Sequence, residues 1–229
     1  AVIAEGEVMQ LMTANDTSDK QRAFETYKVY THVFDPLDPE NKRVITKAHQ
    51  QKYPHHRGIY IGWSKMKIEG LGQFDTWHMS RGVRQHFQAT ERAEGGPDSA
   101  VLTVVIDWVC KDQLLAEEKR TLVLHRPADN GAFLLDQHSQ ITAVAGNTNL
   151  GGDPEHAGCQ FRAHQAVVAN KSAKYIIAGE KNVKADRDIP WAALHFQLDG
   201  RDYHVQHMSH PSLPKGNRYS AYRDYGRFG

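Results

Sequence analysis

The stretch LHFQLDGRDYHVQHM, residues 194–208, decides the class of fold. On either side of Asp199-Gly200, apolar and polar residues alternate with the period of two that a half-buried strand requires. Asp-Gly suits a two-residue type I′ turn, whose central residues both take positive φ. The segment therefore reads as an antiparallel hairpin, and the same texture continues outward. Runs rich in Val, Ile, Thr, Tyr and Phe lie at 27–34, 42–46, 58–68, 74–79, 83–91 and 100–109. They recur at 119–126, 133–144, 159–168, 173–179, 192–198 and 202–208, with Gly, Pro, Asn and Asp between them. One helix is expected, within SDKQRAFET at 18–26. The sequence predicts an all-β fold: a two-sheet antiparallel β-sandwich forming one domain over residues 1–229. ERAEGGPDSA, 91–100, is a turn between strands and too short for a linker.

Composition narrows the function. Lys and Arg number 28 against 27 Asp and Glu, a net charge of +1, which offers no field for gathering phosphates and argues against nucleic acid as a partner. No apolar run approaches the ~20 residues that span a bilayer, so membrane insertion is not expected. Fourteen histidines are the unusual feature, and they give the chain charge that changes near neutral pH. Cys110 and Cys159 match no zinc-knuckle or CxxC spacing, and both a disulfide and two free thiols fit the sequence. GxSxG, GxGxxG and GxxxxGK[ST] are absent, which removes the simplest hydrolase and nucleotide readings. The opening AVIAEGEV has no initiator Met, which fits removal of an export signal.

The sharpest local feature is YPHHRGIYIGW, 53–63. Pro54 biases Tyr53 toward extended backbone and Gly58 frees the chain to turn, so His55 and His56 sit where a loop feeds a strand. Adjacent side chains on extended backbone point apart, so the doublet does not chelate one metal ion by itself. One imidazole can face a cleft while Arg57 holds a carboxylate or a developing oxyanion. A solvated turn is the competing reading. FDTWHM, read as a strand, sets Asp75, Trp77 and Met79 on one face and Thr76 and His78 on the other. Asp beside an exposed Trp suits a sugar, and a core Trp77 is the commoner alternative. LLDQHSQI places Asp136, His138 and Gln140 together, facing either solvent or a binding surface. In DYHVQHMSHP, His204 and His207 face opposite ways and His210 follows in a loop. That is no recognised metal-ligand spacing, and a divalent metal ion would need ligands from distant segments such as His55 or His138.

YPHHRGIYIGW, FDTWHM, GDPEHAGCQFRAHQ, PWAALHFQLDGRDYHVQHMSHPSLPKG and YSAYRDYGRFG together resemble a bacterial family, frequent in planctomycetes and Bacteroidetes, labelled PmoA-like or methane oxygenase. The resemblance covers most of the chain from about residue 50. It implies an exported protein, secreted or periplasmic, of a kind often encoded beside sugar-catabolism enzymes, and further strands after Gly229. Its motifs fall on His55, His56, Arg57, Trp77, His78, His156, Arg162, His207, His210, Pro211, Tyr222, Arg223, Asp224 and Tyr225. A mutarotase-like supersandwich is favoured over a lectin-type jelly roll, because the concave sheet of such folds presents His, Arg and aromatic side chains to a sugar. The expected function is a carbohydrate-active enzyme working by histidine acid–base catalysis. His55 or His56 and His207 share the proton transfers, Arg57 and Arg162 hold an anionic group, and Trp63 or Trp77 stacks on the ring. Asp75, His78, His138, His210, Arg223 and Tyr225 complete the expected binding surface. A non-catalytic glycan-binding module and a His-ligated metal-dependent enzyme are the alternatives.

Overall fold

The computed structural model describes residues 2–3, 6–38, 40–49 and 53–229. Every strand pairing among them is antiparallel, and the fold is all-β and sandwich-like, as the alternation predicts. One layer is built on a five-stranded sheet in the order β17 (Arg227–Phe228), β13 (Ala157–Arg162), β5 (Ile59–Trp63), β4 (Tyr30–Val33), β3 (Met9–Met12). It continues into a three-stranded sheet, β12 (Thr148–Gly151), β6 (Lys65–Ile68), β7 (Gly72–Phe74), because β5 and β6 are one run of chain interrupted at Ser64. Facing this layer are two more sheets. The larger has the order β11 (Leu135–Ala143), β10 (Gln113–His125), β9 (Ser99–Cys110), β8 (Val83–Gly95). The smaller is β14 (Lys174–Ile177), β15 (Trp191–Leu198), β16 (Arg201–Met208). A two-stranded ribbon, β1 (Val2–Ile3) with β2 (Gly6–Glu7), precedes them.

The core lies between the layers. Val33, Phe161 and Phe228 of the five-stranded sheet meet Ala192, Leu194, Phe196 and Leu198 of β15. Met66 and Ile68 of β6 meet Val104, Ile106 and Trp108 of β9. The decisive hairpin is as read, with Asp199 at φ 50° and Gly200 at φ 78° closing a ladder from Leu198↔Arg201 to Trp191↔Met208. The expected helix is α1 (Lys20–Glu25), capped by the Asp19 carboxylate on the Arg22 amide.

Three expected strands are corrected. FDTWHM is a turn, because Asp75 accepts from the amides of Trp77 and His78 and bends the chain after β7. The strand expected over 159–168 ends at Arg162 and gives way to α2 (Gln165–Asn170), whose Val167 and Val168 are buried. The 42–46 run makes only isolated bridges, Phe34↔Val44 and Thr46↔Ala163. Cys110 and Cys159 are free thiols, and burial pushes that of Cys159 up to about 11.

Candidate functional site

Alternation along the five-stranded sheet sorts its residues onto two faces. Ile59 and Ile61 of β5, Phe161 of β13 and Phe228 of β17 point into the sandwich. Their neighbours Tyr60, Gln160, Arg162 and Arg227 point the other way, yet all four are buried. Loops cover that outer face, and the histidines arrive on them.

The first loop is YPHHRG. Tyr53 has left-handed backbone at φ 55°, and the His56 amide donates to the Tyr53 carbonyl at 2.9 Å. At Gly58, φ 40°, a Cβ would collide with the Thr31 carbonyl, so only glycine lets the loop enter β5 here. The second loop is the turn after β7. Thr76 hydrogen-bonds the Trp63 backbone through its amide and hydroxyl, and the close approach of the Thr76 carbonyl to Gly62 leaves no room for a side chain. The turn closes at Met79, a second left-handed residue at φ 57°. Strained non-glycine backbone of this kind costs about 1–3 kcal/mol and concentrates at functional sites.

The third loop comes from a register difference. The strand opposite β5 and β6 pairs as Gly151↔Lys65 and then resumes as Ala157↔Trp63, so residues 152–156 bulge out against the single residue Ser64. The Ser64 amide donates to the His156 carbonyl at 2.9 Å and pins the bulge. Asp153, Glu155 and His156 are thereby carried over the polar face.

These loops bring together imidazoles that are distant in sequence. The ring centroids lie 4.5 Å apart for His55–His56, 4.6 Å for His55–His78 and 5.3 Å for His78–His156. Tyr225 stacks on His56 at 6.2 Å and lies tilted against Tyr53 at 5.3 Å, while Trp77 meets the His156 ring edge-on at 5.8 Å. His78 Nδ1 lies 2.8 Å from Asp75, and His156 Nδ1 lies 2.8 Å from Asp153. Each of these imidazoles is thus oriented by a carboxylate three residues earlier, and neither Nε2 bonds another described residue.

Cations lie beneath the rings. Lys28, Lys47, Arg162 and Arg227 are each 1% exposed or less. Lys28 donates to the Trp77 carbonyl at 2.6 Å and the His55 carbonyl at 3.3 Å, and its ammonium lies 3.8 Å from the Tyr60 ring centre. Arg162 donates to Gln160, to the Phe161 carbonyl and to the Tyr60 hydroxyl. Arg227 donates to Ser220 and pairs with Glu155 at 2.5 Å, while the exposed Arg223 grips the other Glu155 oxygen at 2.8 Å. Partial burial pushes Glu155 up, but hydrogen bonds from Arg227, Tyr222 and Arg223 prevail and hold it at about 2. Burial, reinforced by His78, Lys28 and Arg162, lowers His55 to about 3. Burial and Arg162 drive His56 further down, and both rings are neutral at physiological pH. A cavity of about 270 Å³ opens at the β3–β4 end of this face, where Lys28, Tyr30, His32 and His49 line it.

The expected site residues divide. His55, His56, Trp77, His78, Arg162 and Tyr225 converge, with Arg223 at the rim and Asp75 behind His78. Trp77 is fully buried, so it supports His156 instead of stacking on a ligand. Arg57 is placed elsewhere: its guanidinium donates to the carbonyls of Phe24, Glu25 and Pro54, stapling the end of α1. Trp63 packs on Trp108 in the core at 5.9 Å. His207 packs edge-on against Tyr219 and Phe228 and shares no ring contact with His55 or His56. His138 is exposed on β11, and His210 is exposed in a turn closed by Ser212. The residue reading missed Asp153, Glu155, Lys28, Lys47 and Arg227, and it had His156 only through the family motifs. GDPEH held the clue, an Asp three residues before a His, and the same spacing recurs in DTWH.

A metal ion fits this arrangement poorly. Among the described residues no three His, Cys, Asp or Glu side chains converge on one point. No helix among the described residues is long and apolar enough to cross a membrane.

Fold and site define an all-β, sandwich-like protein with an imidazole cluster over buried cations. Residues 2–229 match a family of unknown function, DUF6807, and the chain belongs to that family. The family's description mentions neither PmoA nor methane oxygenase. No curated protein and no solved structure matches the chain.

Proposed function

We propose that this protein is an exported carbohydrate-active enzyme that cleaves or rearranges a glycan or modified sugar by imidazole acid–base catalysis. The pair of carboxylate-oriented imidazoles, His78 on Asp75 and His156 on Asp153, carries the reading. A carboxylate on Nδ1 fixes the tautomer and stabilises the imidazolium, leaving Nε2 to take or give a proton. With ring centres 5.3 Å apart on two loops, one imidazole accepts a proton from a hydroxyl while the other donates to a leaving oxygen. His55, neutral and edge-on to His78, adds a hydrogen-bonding group, and the partly exposed Tyr53 and Tyr225 offer apolar surface to a sugar ring.

A glycan panel, assayed for turnover from mildly acidic to neutral pH with wild type, His78→Ala and His156→Ala, tests this. Turnover by wild type alone is expected. Binding without turnover at any pH would make the protein a glycan-binding module, and full activity in both variants would exclude these imidazoles from the chemistry.

A further inference from the structure

Charge under the imidazole cluster is out of balance. Among the described residues no carboxylate ion-pairs Lys28 or Arg162, and Glu155 answers Arg227. Arg162 and Arg227 are cross-strand partners in the β13–β17 ladder, so two like charges stand directly opposite, a pairing that ordinarily destabilises a sheet. Beneath the cluster, three buried nitrogens have no acceptor: Nε of Arg162, Nε of Arg227 and Nε1 of Trp77. All three are donors. An uncompensated buried charge is expensive to keep, and its persistence is explained when a ligand supplies the opposite charge.

We propose that the ligand of this site is a sugar bearing an oxyanion, a carboxylate, sulfate or phosphate, whose counter-charge is the buried set led by Arg162 and Arg227. The proposal deepens the carbohydrate reading above and rests on it. Arg162 is enclosed, so it acts through its field, which a low-dielectric wall focuses toward the loops. Direct hydrogen bonds to the anion come from the rim, from Arg223 and from the imidazoles of His55 and His78. Burial first, and then His78, Lys28 and Arg162, keep protons off His55, and a bound oxyanion beside that ring would raise its affinity for a proton.

Isothermal titration of the whole chain with D-glucuronate, glucose 6-sulfate, glucose 6-phosphate and glucose, at low and at physiological ionic strength, tests the proposal. At least one anionic sugar should bind about tenfold or more tighter than glucose, and added NaCl should weaken that preference. The preferred sugar identifies the oxyanion. Arg162→Met should abolish the preference, with Tm measured alongside because the variant also gives up the hydrogen bonds to Gln160, Phe161 and Tyr60. Absence of any preference in wild type, by equal binding or by none, overturns the proposal, as does a preference that survives in Arg162→Met. If that variant does not fold, the wild-type titration decides alone. The two readings fail separately. Turnover of neutral glycans that needs His78 and His156 would leave the acid–base reading standing without the anion, and an anion preference without turnover would do the reverse.

Discussion

Asp75 and Asp153 make a direct test of the imidazole pair, because the turn amides that Asp75 accepts from Trp77 and His78, and Asp153 from Glu155, can be held equally by an Asn oxygen. Replacing either by Asn keeps the shape and the local turn but offers the ring the wrong partner. Turnover should fall by about a hundredfold or more, mainly in kcat, while the circular dichroism spectrum and Tm stay near wild type. A loss confined to KM would show that these carboxylates place substrate instead of tuning a proton carrier. At this scale the sequence was readable where chemistry is written in adjacent letters. His55 and His56 stand out because Pro and Gly flank them. Asp153 and Glu155 do not, because their importance comes from a bulge that opposes five residues to one, and register is invisible until both strands are paired. His207 misled for the converse reason. On its strand it looks like the equal of His204, and only its packing on Tyr219 and Phe228 marks it as a half-buried residue at the edge of the core.

The loops hold the site because the strands beneath them admit close approach. Gly62 is the clearest case, since the Thr76 carbonyl occupies the space its side chain would need. Gly62→Ala should push the 75–79 turn off β5, separate His78 from His156 and cost about 2–3 kcal/mol, with turnover falling further than Tm alone would explain. Denaturant unfolding beside steady-state kinetics would check it, and a variant of unchanged stability and activity would refute the close-approach argument. Glu155→Gln is predicted to be costlier, about 3–5 kcal/mol, because it leaves Arg227 buried with its ion pair broken. The strands themselves were legible wherever alternation met a turn signal, as in the Asp199-Gly200 hairpin. FDTWHM failed as a strand because its alternation is genuine but Asp75 offers the backbone a competing hydrogen bond, and the local bond prevails. The segment after Arg162 failed because Val167 and Val168, good strand formers, bury equally well on a single turn of helix.

For the molecule as a whole, burying so many imidazoles sets the response to acid. His32 and His207 are lowered to about 4, His55 to about 3 and His56 further, in every case with burial as the leading cause. An unfolded histidine titrates near 6.5, so above that pH both states are neutral and these groups leave stability unchanged with pH. Below it the unfolded chain binds protons that the folded rings refuse. Stability is therefore fully present above about pH 6.5 and is lost as pH falls toward the folded values of about 4 and 3, by about 1.4 kcal/mol per group per pH unit. Carboxylates contribute on a separate range: Glu155, held at about 2, loses its stabilisation only as pH drops below the ordinary 4.5 of its side chain. The interval from about pH 6.5 to about pH 5 thus reports on histidine. Calorimetry should show Tm flat at and above neutrality and falling steeply across that interval. His207→Phe removes one half-buried imidazole that lies outside the site, so its decline should be shallower by one group's share. A Tm that held constant down to about pH 5 would mean that the folded rings accept protons freely, and the account of burial keeping them neutral would fail with it.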